Sequence, residues 1–254
     1  MHTSTTCTSC ASRITATTTS RPTTTTSSIT SISTATRLVA LLGHPVEHSL
    51  SPRMQNAAFA ERGLDWAYVA LDVPTEQLED AVRGLAALGF AGGNVTTPHK
   101  AAVAQLIGSE LASVNTLVGM EGFSTDAAIL EQVTACYKPV ILGDGGAAAA
   151  FKHALPQARV FSRKGEWPPE VRDADLVIHA TPERDAVLAE VRPGQTLIDL
   201  PYPRTATAVA AAAAGARVLD GYEVLVAQGA ASFKLWTGIP APVAVMRRAL
   251  GLPE

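Results

Sequence analysis

The sequence predicts an α/β fold in two units, each a parallel-rich sheet covered by helices. Three observations carry this reading. From Leu38 onward, short aliphatic runs bounded by Gly or Pro alternate with helical stretches. A second strand–turn–helix series starts afresh at Pro139, behind a glycine-rich turn. Apolar residues make up 47% of the 254 and aromatics only 5%, a mix suited to aliphatic strands and alanine-rich helices.

Residues 1–36 hold 23 Ser or Thr, two Arg and no acid, the first acidic residue being Glu47. Such a tract cannot bury a core and reads as a disordered leader. Its composition also describes a transit peptide, although no amphipathic helix is evident, which favours a start site assigned too far upstream. Order begins with Leu38–Leu42, a short strand ended by Gly43 and Pro45. Pro52 then opens a helix at its favoured first turn. "WAYVALDV" alternates as a strand, and "TEQLEDAVRGLAALG" is a helix with Thr75 and Glu79 near its start. "AGGNVTTPHKAAVAQLI" repeats strand, turn and helix. "ASVNTLVGMEGFSTDAAILEQV" reads as a hairpin leading into a helix capped near Thr125 or Asp126. The second unit follows as "KPVILG", helix, "ARVFSR", "DADLVIHAT", "QTLIDL", a helix over Thr207–Gly215, and "ARVLDG". The last 30 or so residues are helical with a Pro-rich interruption, free to pack back on the first unit.

Composition excludes several classes. A net charge of −3 gives no basic face for nucleic acid. No apolar run approaches the roughly 18–20 residues of a membrane span. Cys7 and Cys10 form a CxxC without a second pair, and Cys136 ends a helical pattern, so the cysteines read as those of a reduced, cytoplasmic protein. His44, His48 and His99 lack a metal-ligand spacing with a carboxylate, and no metal is expected.

The turn Gly143-Asp144-Gly145-Gly146-Ala147-Ala148 follows a strand and opens a helix. The first glycine allows the tight turn, the second lets backbone approach a phosphate, and the small residues allow close helix–strand packing. The helix N-terminus adds N–H groups and partial positive charge, as dinucleotide-binding loops do. Asp144 is the discordant residue, standing where phosphates would arrive. At the end of the next strand, Ser162, Arg163 and Lys164 occupy the place where NAD sites carry an acid. A guanidinium there can fork onto a 2′-phosphate, which favours NADP. Ser49 and Ser51 present two hydroxyls suited to a carboxylate or polyol, with helix capping as the alternative for one of them. Lys100 stands at a helix N-terminus, against the dipole, which hints at function. Lys100 and Asp126 near a carbonyl would make a proton-transfer pair.

Taken together, "GHPVEHSLSPRMQNAAF", "NVTTPHK", "ASVNTLV", "STD", "LGDGGAAAA", "SRK", "ATP" and "GYEVLVAQGAASFKLWTG" resemble the shikimate dehydrogenase family from about Leu38 to the C-terminus. The resemblance implies NADPH-dependent, reversible reduction of 3-dehydroshikimate to shikimate in aromatic amino-acid biosynthesis. It implies a substrate-binding domain over 37–125 plus 223–254, completed by the C-terminal helices, and a Rossmann-type NADP-binding domain over 126–222, with a cleft between them. Lys100 and Asp126 would be the catalytic pair. Ser49 and Ser51 would bind the substrate carboxylate, with Thr96, Asn115, Tyr202 and Gln228 also on the substrate. Gly143–Ala148 would hold the pyrophosphate, Ser162-Arg163 with Lys164 would face the 2′-phosphate, and Thr181 and Gly221 would lie along the nicotinamide. Partners would be small molecules alone, with the protein a monomer or homodimer.

The chain also departs from the family pattern. Gln55 stands where the family usually has His, Ser124 where it has Asn, and Ser162 where it has Asn. The intervals Lys100–Asn115 and Asn115–Asp126 are shorter than usual. A quinate or related polyol dehydrogenase, or a paralogue that binds ligand without turnover, are the competing readings.

Overall fold

The computed structural model describes residues 36–134 and 137–253. All three cysteines, and the leader up to residue 35, lie outside these residues. Strand β1 (Arg37–Gly43) is buried from Val39 onward because it is central: it pairs in parallel with β2 (Trp66–Asp72) and β3 (Gly92–Val95). Helix α1 (Ser51–Glu61) links β1 to β2, and α2 (Leu78–Ala87), entered through a 3-10 turn at Thr75–Gln77, links β2 to β3. The Asn56 side chain fastens α1 to β2 by bonding both the N–H and the carbonyl of Tyr68. After β3 come α3 (Lys100–Leu106) and the antiparallel hairpin β4 (Thr116–Val118) and β5 (Glu121–Phe123), giving the sheet order β2-β1-β3-β4-β5. A Cβ at Gly92 would lie 2.1 Å from the Leu117 carbonyl oxygen and 2.8 Å from the Trp236 indole nitrogen, so glycine is what lets β3, β4 and the C-terminal helix meet.

The second sheet is wholly parallel, in the order β10-β9-β8-β6-β7. Its strands are β6 (Pro139–Leu142), β7 (Arg159–Phe161), β8 (Leu176–His179), β9 (Thr196–Asp199) and β10 (Arg217–Leu219). Helix α4 (Gly146–Ala154) joins β6 to β7, and α5 (Ala206–Ala213) joins β9 to β10. Crossovers between parallel strands usually carry a helix, yet the β7–β8 and β8–β9 connections do not. Val171, Ala174, Ala189 and Val191 from these irregular segments fill the core beside Ala208 and Ala211 of α5 instead. Buried Gln195 ties the segments together, donating to the carbonyls of Val171 and Ala174 and accepting from the Arg192 N–H.

Helix α6 (Gly221–Thr237) begins at the second sheet and ends on the first, followed by α7 (Val243–Ala249). Asp220 caps it through the N–H groups of Tyr222 and Glu223. Its Val224 joins the core of the second sheet, while Leu225, Val226, Phe233 and Trp236 pack with Val39, Leu41, Met54 and Phe59 of the first. One helix thus bridges both units.

Two local expectations are corrected. The helix expected after the hairpin is only a 3-10 turn, Ala128–Gln132. Neither expected cap is available: Asn115 engages Thr125, and Asp126 is held by Lys100 and Asn115. Apolar Ala127, Ile129 and Leu130 are drawn into the core of the second sheet instead. At α1, neither Ser49 nor Ser51 caps; Leu50 is the cap residue, and the Ser49 hydroxyl accepts from the Ser51 N–H at 3.3 Å. Among the described residues no helix is long and apolar enough to cross a membrane.

Candidate functional site

A pocket opens at the C-terminal ends of β1 and β3. Ser49 and Ser51 reach it from the segment after β1, Thr96 and Lys100 from that after β3, and Asn115 from the start of the hairpin. Tyr202 comes from the loop after β9 and Gln228 from α6. Seven residues scattered over 180 positions of sequence therefore converge.

Lys100 begins α3, and its Nζ donates to both carboxylate oxygens of Asp126 at 2.8 and 2.7 Å. Asp126 also receives the Asn115 amide at 2.9 Å. Asn115 is the hub: its amide nitrogen also lies 3.0 Å from Thr125 Oγ1 and 3.3 Å from Gln228 Oε1, sharing two hydrogens among three acceptors, and its oxygen accepts the Thr125 backbone N–H at 2.7 Å. Behind it, Thr116, Thr125 and Ser232 exchange hydroxyl hydrogen bonds in the buried interior. Such a network holds polar side chains in one arrangement, because any other would leave buried groups unpaired.

The sequence reading missed several members of this wall. Asn94 lines the pocket, donates to Ser232 and Thr116, and accepts the Tyr68 hydroxyl at 2.9 Å. Its signal was present, since it opens "NVTTPHK". Burial pushes the Tyr68 phenol far up, opposed only in part by a hydrogen bond with Ser51. Gln55 also lines the pocket; its amide donates to the Gly229 carbonyl at 2.9 Å. Its Oε1 and the hydroxyls of Ser113 and Ser124 are buried without a partner. Two of these three orphans, Gln55 and Ser124, stand where the chain departs from the family pattern. Tyr202 is pushed up by burial and then by its neighbour Tyr222.

The glycine turn lies at the end of β6. Gly143 has a φ of 108°, and a Cβ there would lie 2.8 Å from the Ala180 carbonyl oxygen, so both its conformation and its crowding require glycine. Cβ atoms at Gly145 and Gly146 would meet open space, leaving room outside the turn. Helix α4 starts there with no capping side chain and no acid in its first turn. A turn, an uncapped helix start and open space fit a dinucleotide pyrophosphate. Asp144 does not face that space unopposed: Lys152 of α4 reaches its carboxylate at 2.5 Å. Ser162, Arg163 and Lys164 follow β7, and Arg163 pairs with Glu183 at 3.6 Å.

Thr181, after β8, belongs to a chain of bonds that the sequence did not reveal. Buried His179 bonds Asp199 through Nδ1 at 2.8 Å and Thr181 Oγ1 through Nε2 at 2.7 Å. Asp199 has only acceptors, so Nδ1 carries the hydrogen; in the neutral ring Nε2 then accepts from the Thr181 hydroxyl. Thr205 also donates to both Asp199 oxygens. Gly221 is the buried first residue of α6, where a Cβ would lie 2.4 Å from the Pro201 carbonyl oxygen. His99 is buried against the Val73 carbonyl and His44 pairs with Asp72. Among the described residues no three metal-ligating side chains converge.

Known proteins resemble this chain over most of its length. Residues 41–117 match the family model of the shikimate dehydrogenase substrate binding domain, and residues 221–250 that of the shikimate 5'-dehydrogenase C-terminal domain. The shikimate dehydrogenase (NADP(+)) of Methanopyrus kandleri is 40% identical over 87% of this chain and 97% of its own. That alignment spans 281 positions, while 87% of 254 residues is about 221, so about 60 of its positions face gaps. A shikimate 5-dehydrogenase from Thermus thermophilus, solved with NADP(H) and shikimate, superposes with a TM-score of 0.70 at 30% identity, covering 84% of this chain and 98% of that one. The shikimate dehydrogenase of Aquifex aeolicus gives 0.75 at 29% identity, over 85% and 97%. With a 40% identical relative matched along nearly its whole length, a two-unit α/β fold and the converged polar pocket, this chain belongs to the shikimate dehydrogenase family.

Proposed function

We propose that the chain catalyses reversible NADPH-dependent reduction of 3-dehydroshikimate to shikimate, a step toward chorismate and the aromatic amino acids. The observation that carries this is the Lys100–Asp126 pair, whose lysine lines a pocket where the other polar groups are hydroxyls and amides. The substrate unit is 37–125 with 223–254, the cofactor unit 126–222, and the protein a cytoplasmic monomer or homodimer acting on small molecules.

NADP(H), when bound, supplies or takes up the hydride. Gly143–Ala148 hold its pyrophosphate, Ser162, Arg163 and Lys164 its 2′-phosphate end, and Thr181 and Gly221 border the nicotinamide. Lys100 gives a proton to the carbonyl oxygen during reduction and takes one from the hydroxyl during oxidation. Two of its three ammonium hydrogens are committed to Asp126, which leaves one available for the substrate oxygen. Asp126 and Asn115 orient it. Ser49 and Ser51 bind the substrate carboxylate, while Thr96, Asn115, Tyr202 and Gln228 hold its hydroxyls. The test is reduced-cofactor absorbance with shikimate or quinate, each with NADP+ and NAD+. Turnover with shikimate and NADP+ is expected to dominate. Binding of both by calorimetry without turnover would replace this reading with a non-catalytic one.

A further inference from the structure

The C-terminal edge of the second sheet carries an ion pair between the loop after β7 and the loop after β8. Arg163 follows β7 and Glu183 follows β8, and these two strands flank β6 on opposite sides. The turn at the end of β6 is bracketed by both loops. Its Gly143 N–H bonds the Phe161 carbonyl at 2.7 Å on one side, and the Ala180 carbonyl presses on Gly143 from the other. Arg163 and Glu183 meet at 3.6 Å, joining the two loops that bracket that turn.

Glu183 is a fixed partner rather than a loose one. Its Oε1 accepts the backbone N–H groups of Arg184, Asp185 and Ala186 at 3.1, 3.1 and 3.3 Å, while Oε2 faces Arg163. The Asp185 N–H foremost, then those of Ala186 and Arg184 and the Arg163 charge, hold this carboxyl below the usual range. The negative charge is therefore anchored in place.

We propose that Glu183 sets cofactor specificity: it competes with the 2′-phosphate of NADP for the Arg163 guanidinium and so lowers the preference for NADP over NAD. This rests on Gly143–Lys164 being the dinucleotide site. A 2′-phosphate can take Arg163 only by sharing or displacing Glu183, and it then lies near a carboxylate that three N–H groups keep from swinging away. A ribose 2′-hydroxyl carries no charge and meets neither cost. Asp144 differs, because Lys152 already offsets it.

Glu183→Gln tests this, keeping the side-chain length and an oxygen for the three N–H groups while removing the charge. With shikimate saturating, the ratio of kcat/KM for NADP+ over that for NAD+ is expected to rise roughly three- to tenfold, the scale of one charge contact in well-hydrated surroundings. In an Arg163→Gln background the same substitution should leave the ratio where Arg163→Gln alone puts it. An unchanged or lower ratio in the single variant overturns the proposal, as does an equal rise without Arg163. Inhibition by adenosine 2′,5′-bisphosphate compared with 5′-AMP, measured also for Glu183→Ala, reads the same preference through binding. Tightening of the bisphosphate alone supports the proposal; equal tightening of both overturns it. If Arg163→Gln leaves the NADP+ KM unchanged, the cofactor-site assignment itself fails and takes the proposal with it.

Discussion

Two lysine–aspartate pairs, one beside each sheet, are built from the same residues for opposite ends. Lys100 and Asp126 have side chains only 22% and 12% exposed, two short contacts, and Asn115 as an additional donor. Lys152 and Asp144 are 45% and 50% exposed. The first pair is fixed by a network drawn from β4, α6 and the segment before Asp126, whereas the second stands in water on the flank of α4. An exposed pair contributes little and is not held in one geometry by its own contact, while a half-buried pair with further hydrogen bonds keeps one arrangement. Residue type is shared; burial and neighbours decide which pair can handle a proton.

Replacing Lys100 with Met should break the buried pair at its reacting end. Turnover with shikimate and NADP+ is expected to fall by roughly 10²–10⁴-fold, the range for a lost general acid or base, with shikimate affinity by calorimetry nearly kept. Unchanged turnover would remove Lys100 from the mechanism. Asp126→Asn should cost less, on the order of 10–100-fold in kcat, because the proton carrier remains and only its aim is lost. An Asp126→Asn effect confined to KM would mean that the carboxylate serves binding rather than alignment.

How far these pairs were legible differs for a physical reason. The Gly143 turn is a local device: strand, turn and helix start are contiguous, so their chemistry shows in ten residues. "NVTTPHK" likewise carries its lysine at a helix start. The contact between Lys100 and Asp126 spans 26 positions, so the residue types suggested the pairing and only the fold makes it. The His179–Asp199–Thr205 cluster had no local signal at all, because "LVIHAT" and "TLIDL" read simply as buried strands. Only the parallel pairing of β8 and β9, which sets His179 opposite Asp199, brings them together. The lost helix after Asp126 is the same lesson reversed, since its expected caps were engaged by residues distant in sequence. Gln195, too, reads as an ordinary surface residue until two irregular crossovers close around it.

Burial in the first unit also has a pH signature at its tyrosine. The Tyr68 phenol, ordinarily titrating near 10.0, is pushed far up by burial. Above pH 10 the unfolded chain loses this proton and the folded chain keeps it. The unfolded state then binds fewer protons, so stability falls as pH rises, approaching about 1.4 kcal/mol per pH unit. Below pH 10 this contribution is fully present. Tyr68→Phe should cost about 1 kcal/mol at pH 8, through the lost hydrogen bond to Asn94, yet show a shallower alkaline decline. Denaturant unfolding at pH 8 and pH 10.5 measures both; equal slopes in the two proteins would show that Tyr68 is not shielded as the packing indicates.

The smallest effects belong to the exposed pair, and their signs matter more than their size. Asp144 sits in the Gly143 turn with Lys152 against it, so with a pyrophosphate bound there as proposed the two charges largely cancel at its distance. Removing Asp144 alone leaves an unopposed ammonium, and the NADP+ KM should fall by roughly two- to threefold, as expected for one screened surface charge. Removing Lys152 alone leaves the carboxylate facing the phosphates, and the KM should rise by about the same factor. The double variant Asp144→Ala, Lys152→Met should return close to the starting value, since it deletes a near-neutral unit. None of the three should change kcat at saturating cofactor, and raising ionic strength should shrink both single-variant shifts. If Lys152→Met instead lowers kcat at saturating NADP+ and shikimate, the exposed pair takes part in the reaction, and burial is not what separates the two.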